Sequence, residues 1–152
     1  MIKIERLDFV PLACVHLDPG AYTDGDLAQD LLLLRQQMEG DQRIGRKLVA
    51  VIDLNNAAPL TATQRKTLNE WRRQTHDLSL ATSLGIVFVA PSAIIRGVLT
   101  ALFWLGSFGV SHKVVSTLDE AVQWAIQQLE AAKLPVPERL RVERGRVFAH
   151  AR

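Results

Sequence analysis

The segment Lys47-Leu48-Val49-Ala50-Val51-Ile52-Asp53-Leu54, called the central segment below, is short and nearly continuously apolar. Such a run predicts a strand that is buried on both faces, as in a parallel sheet covered by helices. After a loop at 55–59, Thr61-Ala62-Thr63-Gln64 has the spacing of a capping box and predicts the start of a helix. In that helix we expect two side chains, Leu68 and Trp71, to face inward. The charged side chains are expected to face largely outward: Arg65, Lys66, Glu70, Arg72 and Arg73.

Further strands are predicted on both sides of this segment. Residues 84–89 form a second buried-type run, and residues 112–116 form a short one. Before the central segment, residues 2–7 and 9–17 read as two strands or one bent strand, because Pro11 is tolerated at strand starts and edges.

Helices are predicted between these strands. One begins at a cap near Thr23 and stops at Gly40, and another covers Ser92–Leu105. A last helix follows a second capping box at residues 117–120. Strands that alternate with helices predict an α/β fold: a mixed, mostly parallel sheet of about five strands with an N-terminal antiparallel hairpin, flanked by about four helices.

The charge distribution divides the chain into a domain at 1–132 and a basic C-terminal tail at 133–152. The tail carries 6 Lys and Arg against 2 acidic residues, while residues 1–132 carry 12 against 14. Alternation of Leu140, Val142 and Val147 predicts a small extra strand or hairpin in the tail. The lone Cys14 excludes an internal disulfide, and the start lacks the apolar core of a signal peptide. We therefore expect a cytoplasmic protein.

The predicted order of strands and helices, together with three short sequence phrases, resembles the STAS superfamily of anti-sigma factor antagonist domains. They are the 51–54 strand with its loop and capped helix, the phrase at 96–101 (Arg-Gly-Val-Leu-Thr-Ala) and the phrase at 116–121 (Ser-Thr-Leu-Asp-Glu-Ala). The resemblance covers roughly residues 1–132 and implies a regulatory domain that works through protein contacts. Regulatory members carry a phosphorylated Asp-Ser-Ser/Thr-Gly phrase at the start of the helix after the third strand. Here that region keeps hydroxyls only at Thr61 and Thr63, and the interpretation favoured for Thr61 is an N-cap.

Two candidate sites follow from the ends of the predicted strands. Thr61 and Ser92 both open helices after buried strands, and paired helix starts can hold an anion or a nucleotide phosphate. Asp53 lies at the end of the central strand, where ligands bind in open α/β sheets. Because the acidic pair of a receiver domain is missing, Asp53 is expected instead to organise the loop of Asn55 and Asn56 by accepting backbone hydrogen bonds.

Residue types that carry catalysis or bind metal are not arranged in a known pattern. The four histidines lack metal-ligand spacing, there is no Gly-x-Ser-x-Gly elbow, and Cys14 lies inside an apolar strand. We predict that the protein is not an enzyme and uses no cofactor or metal.

The Ser92–Leu105 helix predicts an interaction surface, because its outward face has one charge and no acidic residue. This surface comprises Arg96, Gly97, Thr100, Phe103, Trp104 and Phe108. The hypothesis is a non-enzymatic regulatory or scaffolding domain that self-associates, as a homodimer, or binds a protein partner through this surface. Coverage of the face by the tail and contact with a membrane surface remain open, and nucleic-acid binding is disfavoured. The alternative is a module that binds a small ligand, nucleotide or lipid in the Thr61/Ser92 crevice.

Overall fold

The computed structural model describes residues 2–17, 22–104 and 109–148. Five strands are present in this part of the chain: β1 (Ile2–Arg6), β2 (Leu12–Leu17), β3 (Leu48–Asp53), β4 (Ser83–Val89) and β5 (His112–Val115). The helices are α1 (Asp24–Arg43), α2 (Ala62–Gln74), α3 (His76–Thr82), α4 (Ala93–Trp104), α5 (Leu118–Ala131) and α6 (Glu138–Glu143), followed by a 3-10 turn at Arg144–Val147.

The strands form one mixed sheet in the order β1-β2-β3-β4-β5. β1 pairs with β2 antiparallel, and all other pairs are parallel. This confirms the predicted α/β fold with its N-terminal hairpin. Since each parallel strand lies beside its predecessor and crossovers are right-handed, the connections through α1, α2, α3 and α4 all pass over the same face of the sheet.

The opposite face packs tightly against α5. Val49, Val51, Val87 and Val89 are fully buried there. At Gly85 a Cβ atom would lie 2.8 Å from the Trp124 ring, so the ring contacts the strand backbone directly. This face is the well-packed core of the molecule.

The C-terminal segment contributes to that core, and the strand or hairpin predicted for it is wrong. Residues 138–143 form a helix, and Leu140, Val147 and Phe148 are buried with it against the α5 face. Val142, the middle member of the predicted alternation, is 61% exposed. The buried positions follow a helix and a turn, with Gly145 N–H donating to the Asp119 carboxylate at 2.9 Å.

Two helix predictions need correction. α1 does not stop at Gly40 but continues to Arg43, because one glycine costs a helix only about 1 kcal/mol and the last turn is anchored. The anchor is Asp41, whose two carboxylate oxygens each accept a hydrogen bond of 2.8 Å from Arg6. α3 was not predicted, since Thr75 ends α2 and the chain re-enters a helix at the next residue.

The predicted caps are present with one difference. Thr61 and Gln64 form the full capping box of α2. At α5 the Thr117 hydroxyl accepts from Glu120 N–H, but the Glu120 carboxylate accepts from the N–H of Ser116 instead of Thr117.

Within the described ranges, no helix combines the length and the apolar character needed to cross a bilayer.

Candidate functional site

A large cavity lies between the sheet and the layer of helices α1 to α4. Its volume is about 1080 Å³. The floor is the second face of the sheet, where Ile4, Ala50, Ile52, Ile86 and Phe88 stay partly accessible. The two faces of one sheet therefore differ: α5 closes one, and four helices leave space over the other.

The depth of the cavity comes from two small side chains at the centre of the floor. Ala13 of β2 pairs with Ala50 of β3, and Ala50 pairs with Ile86 of β4. All three line the cavity. Two adjacent alanines leave room where larger side chains of a central strand pair would fill the space beneath the helices.

The walls are apolar side chains from three helices. α1 contributes Leu27 and Leu31, α2 contributes Trp71, and α4 contributes Ile95 and Leu99. The indole N–H of Trp71 donates to the carbonyl of Leu31 at 3.0 Å, which ties α2 to α1 while the ring faces the cavity. A wall of this kind offers contact to hydrocarbon and few partners to water.

The lining of the cavity bears on what occupies it. The cavity is partly open to solvent, so water can enter it, and most of its lining is apolar. Water beside apolar side chains finds few hydrogen-bond partners, and its displacement by an apolar group is favourable. The lining therefore favours an apolar occupant.

The charged residues of the lining are mostly cations. Arg6, Arg65, Lys66, Arg72 and Arg73 line the cavity, whereas its carboxylates are Asp30 and Asp41. The Asp41 hydrogen bonds raise the pKa of Arg6 against the opposing effect of burial. Arg72 is half-buried, which corrects the prediction that it faces outward, and its burial lowers the pKa of its guanidinium.

On the opposite face, a buried polar cluster occupies the carboxyl ends of β2 and β3. The Nδ1 atom of His16 lies 3.2 Å from Asp53 Oδ2, and its Nε2 atom lies 3.4 Å from Glu5 Oε2. Asp53 Oδ1 accepts from the backbone and side-chain amides of Asn55 at 3.1 and 2.7 Å. These are the loop-organising hydrogen bonds expected of Asp53; Asn56 is exposed.

This cluster does not have the geometry of a Cys-His-Asp triad. Cys14 Sγ lies 3.7 Å from His16 Nδ1, the same nitrogen that faces Asp53, whereas a triad uses the two ring nitrogens for its two partners. Burial raises the pKa of the Cys14 thiol, and the carboxylates of Asp53 and Glu5 raise it further. The thiol is therefore protonated and inert. Among the described residues, no group of three His, Cys, Asp or Glu side chains could hold a metal ion.

Asp53 makes stability depend on pH. Burial alone would raise its pKa, but the hydrogen bonds from His16 and Asn55 together leave the pKa below its usual value. The carboxylate thus stabilises the fold above about pH 4, and this contribution is lost as the pH falls through the lower folded-state pKa. We expect Asp53→Asn to lower the free energy of unfolding by about 1–3 kcal/mol at neutral pH. Urea titrations should show that difference shrinking towards zero in strong acid.

The control for this pH dependence is Asp8→Asn, at an exposed position. It should leave the curve of stability against pH nearly unchanged. A difference between wild type and Asp53→Asn that stays constant from neutral pH to strong acid would contradict the assignment.

The residues predicted for the crevice do not line the cavity. The Thr61 hydroxyl accepts from Gln64 N–H at 3.1 Å as the N-cap, Thr63 is exposed, and the Ser92 carbonyl accepts from Arg96 N–H. Leu60, Ala62 and Ile94, which are close to Thr61 and Ser92 in the sequence, do line the cavity, so the predicted site lies beside it. Phosphorylation of Thr61 or Thr63 stays a prediction.

The predicted interaction surface on α4 is described only in part. Arg96, Gly97 and Thr100 are exposed, as is Ile94, which is 74% accessible. The side chains of Phe103 and Trp104, and all of Phe108, lie outside the described residues. In the described part of the tail, Leu140, Val147 and Phe148 lie in the core on the α5 side of the sheet. Self-association and partner binding through α4 stay predictions.

Comparison with known proteins found no family model that matches the chain, and no significant match among curated proteins or solved structures. The STAS resemblance therefore remains one of element order and local phrases.

Sequence reasoning missed the cavity, although two signals were present. Ala50 interrupts a run of larger apolar residues, and Ala13 does the same in β2. Their side-by-side pairing depends on the register between β2 and β3, which the sequence alone did not reveal. The His16–Asp53 contact was missed for the same reason, because 37 residues separate the partners.

Proposed function

We propose that this protein binds an apolar small molecule in the cavity between the sheet and α1 to α4. The observation that carries the proposal is a cavity of about 1080 Å³ lined predominantly by aliphatic and aromatic side chains. Pockets for small molecules are typically about 300–1,000 Å³, mostly apolar, with a few polar groups. Ligand binding, the alternative expected from sequence, thus becomes the favoured function ahead of protein contacts.

The energetics support a ligand that is mainly hydrocarbon. Burial of apolar surface contributes about 25 cal/mol per Å², or about 0.8 kcal/mol for each buried CH₂ group. A ligand that replaces void or poorly bonded water gains this on its own surface and also on the surface of Ala50, Ile52 and Phe88. The bound form is expected to be markedly more stable than the empty one, since a ligand that binds only the folded state stabilises it by mass action.

The proposal concerns binding and no covalent step. Of the buried titratable groups among the described residues, His16 and Asp53 belong to the opposite face of the sheet and do not line the cavity, whereas Asp30 and Asp41 do line it. Apart from Arg6 of β1, the charged side chains of the lining belong to α1 and α2, which also form the wall, and this suits recognition of a ligand.

The test is direct detection of a ligand together with a variant that fills the cavity. We expect native mass spectrometry of the protein from its own host to show a bound small molecule, and the emptied protein to bind a fluorescent probe of apolar surface such as anilinonaphthalene sulfonate. Ala50→Phe places a ring in the centre of the cavity floor and should weaken probe binding at least about tenfold, the equivalent of roughly 1.4 kcal/mol.

The matched control is Ala131→Phe, at an exposed position at the end of α5. It adds the same ring away from the cavity and should bind the probe as the wild type does. A folded wild-type protein that binds no probe, or an Ala50→Phe protein that binds it equally well, would reject the cavity as the site.

A further inference from the structure

The strand β1 forms one border of the sheet, and the direction of its backbone groups follows from the strand register. β1 is first in the strand order, and within the described ranges no strand pairs with its outer side. Leu7 N–H donates to the carbonyl of Leu12, so residues 7, 5 and 3 direct their N–H and C=O groups towards β2. The N–H and C=O groups of Ile2, Ile4 and Arg6 therefore point outward, away from the sheet.

The next strand pair gives the same alternation. The carbonyl of Pro11 accepts from Val49 N–H, so the odd-numbered residues of β2 hydrogen-bond to β3 and the even-numbered ones to β1. These even-numbered residues lie opposite the odd-numbered residues of β1. Among the described residues, no hydrogen bond involves the backbone N–H or C=O of Ile4. The middle of β1 thus offers a donor and an acceptor to another strand.

The other border of the sheet is less suited to pairing. β5 has four residues, and the N–H of Ser116 directly after it donates to the Glu120 carboxylate. β1 is longer by one residue, and its edge carries charged side chains, which in natural proteins discourage pairing with other chains. The charges of β1 have both signs, so their effect depends on which strand approaches.

The side chains of β1 are complementary to a second copy of the same strand. Lys3 and Glu5 flank Ile4 on the face of the sheet that carries α5, whereas Ile4 itself lines the cavity on the other face. When two β1 strands pair antiparallel about Ile4, Lys3 of each copy lies opposite Glu5 of the other. These two positions form non-hydrogen-bonded pairs, in which the side chains of antiparallel strands lie closest.

Charge selects this register over its neighbours. Two outward-pointing residues must face each other to exchange hydrogen bonds, so one strand can slide along the other only in steps of two residues. One step in one direction places Lys3 opposite Lys3 of the second copy, and one step in the other places Glu5 opposite Glu5. Like charges directly opposite each other are unfavourable in a sheet.

We propose that a second copy of this chain pairs antiparallel with β1 about Ile4, in a two-fold symmetric dimer with one continuous sheet. The two copies of Ile4 exchange backbone hydrogen bonds, and Ile2 of each copy does the same with Arg6 of the other. The Glu5 carboxylate already lies near His16, and Lys3 of the second copy approaches it without displacing that neighbour. The inference concerns a surface other than α4 and does not depend on ligand binding.

The oligomeric state is measured by sedimentation equilibrium of the full chain. The contact involves one short strand from each copy, so the range from about 1 µM to about 1 mM covers the affinities expected of a small, reversible interface. The wild type should change from the mass of one chain to the mass of two within this range.

Two variants test the strand edge. Ile4→Pro removes the outward N–H but no hydrogen bond to β2, and proline is tolerated on edge strands in this orientation. It should raise the dissociation constant of the dimer at least about tenfold. Lys3→Glu keeps every backbone hydrogen bond and places like charges opposite each other, so a rise of about tenfold is expected here too. This exposed substitution provides a second reading if the proline variant folds poorly.

The register is tested by oxidative cross-linking. In the proposed dimer the two Cα atoms of residue 4 are about 5.5 Å apart, within the reach of a disulfide, so Ile4→Cys should form a covalent dimer. The two copies of residue 3 are diagonal neighbours at about 7–8 Å, so Lys3→Cys should cross-link far less. The native Cys14 is fully buried and should not compete.

The control is Lys113→Glu, which makes the same charge change at an exposed position of β5 and should leave the dissociation constant unchanged. A wild type that stays monomeric up to about 1 mM would overturn the proposal. A dimer that persists in Ile4→Pro but is lost in Ile94→Asp would place the interface on α4 and overturn it as well. Cross-linking of Lys3→Cys in preference to Ile4→Cys would contradict the register.

Discussion

Alanine-to-phenylalanine substitution is expected to be tolerated at Ala50 and strongly destabilising at Ala125. Ala125 of α5 is fully buried in the core on the tightly packed face, where an added ring has no space. We expect a loss of about 3 kcal/mol in the free energy of unfolding, at the upper end of typical overpacking, and a correspondingly poor yield of folded protein. Ala50 faces the cavity, so its ring enters existing space and the change should stay within about 1 kcal/mol of wild type.

Urea denaturation of both variants, monitored by circular dichroism, measures this contrast. The experiment needs no ligand, so it tests the asymmetry of the two faces independently of the proposed function. Equal destabilisation by the two substitutions would mean that the helices close onto the sheet at Ala50, and the cavity would then not exist in the ligand-free protein.

Phe148→Ala is expected to have an effect of similar or larger size. Phe148 is 1% exposed at the end of the described chain, and its ring lies edge-on to His16 with 6.3 Å between the ring centroids. Truncation of a buried phenylalanine typically costs about 3–5 kcal/mol, because the transfer free energy is lost and a cavity is left behind. A loss of this size would place the C-terminal segment within the cooperative unit of the fold.

The control for Phe148 lies in the same segment. Val142→Ala changes a side chain that is 61% exposed, and its effect on the unfolding free energy should lie within about 0.5 kcal/mol. If Phe148→Ala were equally mild, residues 133–148 would be a separable appendage, as the division of the sequence at residue 132 predicts.

Most of the secondary structure was predictable because its signals are local. The apolar run at 48–53 became a central strand, and Thr61 with Gln64 became a full capping box. Where local signals mislead, a tertiary contact explains the difference. Gly40 does not end α1 because Asp41 beyond it is held by Arg6 of β1, 35 residues away.

The candidate site was much less predictable. Periodicity placed Trp71 on the inner side of α2 but could not say whether that side meets the sheet or an open space. It also predicts an outer position for Arg72, because a charged side chain on an amphipathic helix normally faces solvent. The half-burial of Arg72 follows from the position of α2 over the sheet, which is a property of the assembled layers.

By itself, the sequence determined the number of strands, the parallel pairing of the central strands, the antiparallel N-terminal hairpin and the capping box of α2. These features were predictable because strand propensity, apolar alternation and helix capping each act over a few residues. Only the tertiary structure decided that four helices share one face while α5 and the C-terminal segment close the other. The physical reason is the strand order, since sequential right-handed crossovers place their helices on one side. The pairing of Ala13 with Ala50 beneath those helices then leaves the space that we propose to be the ligand site.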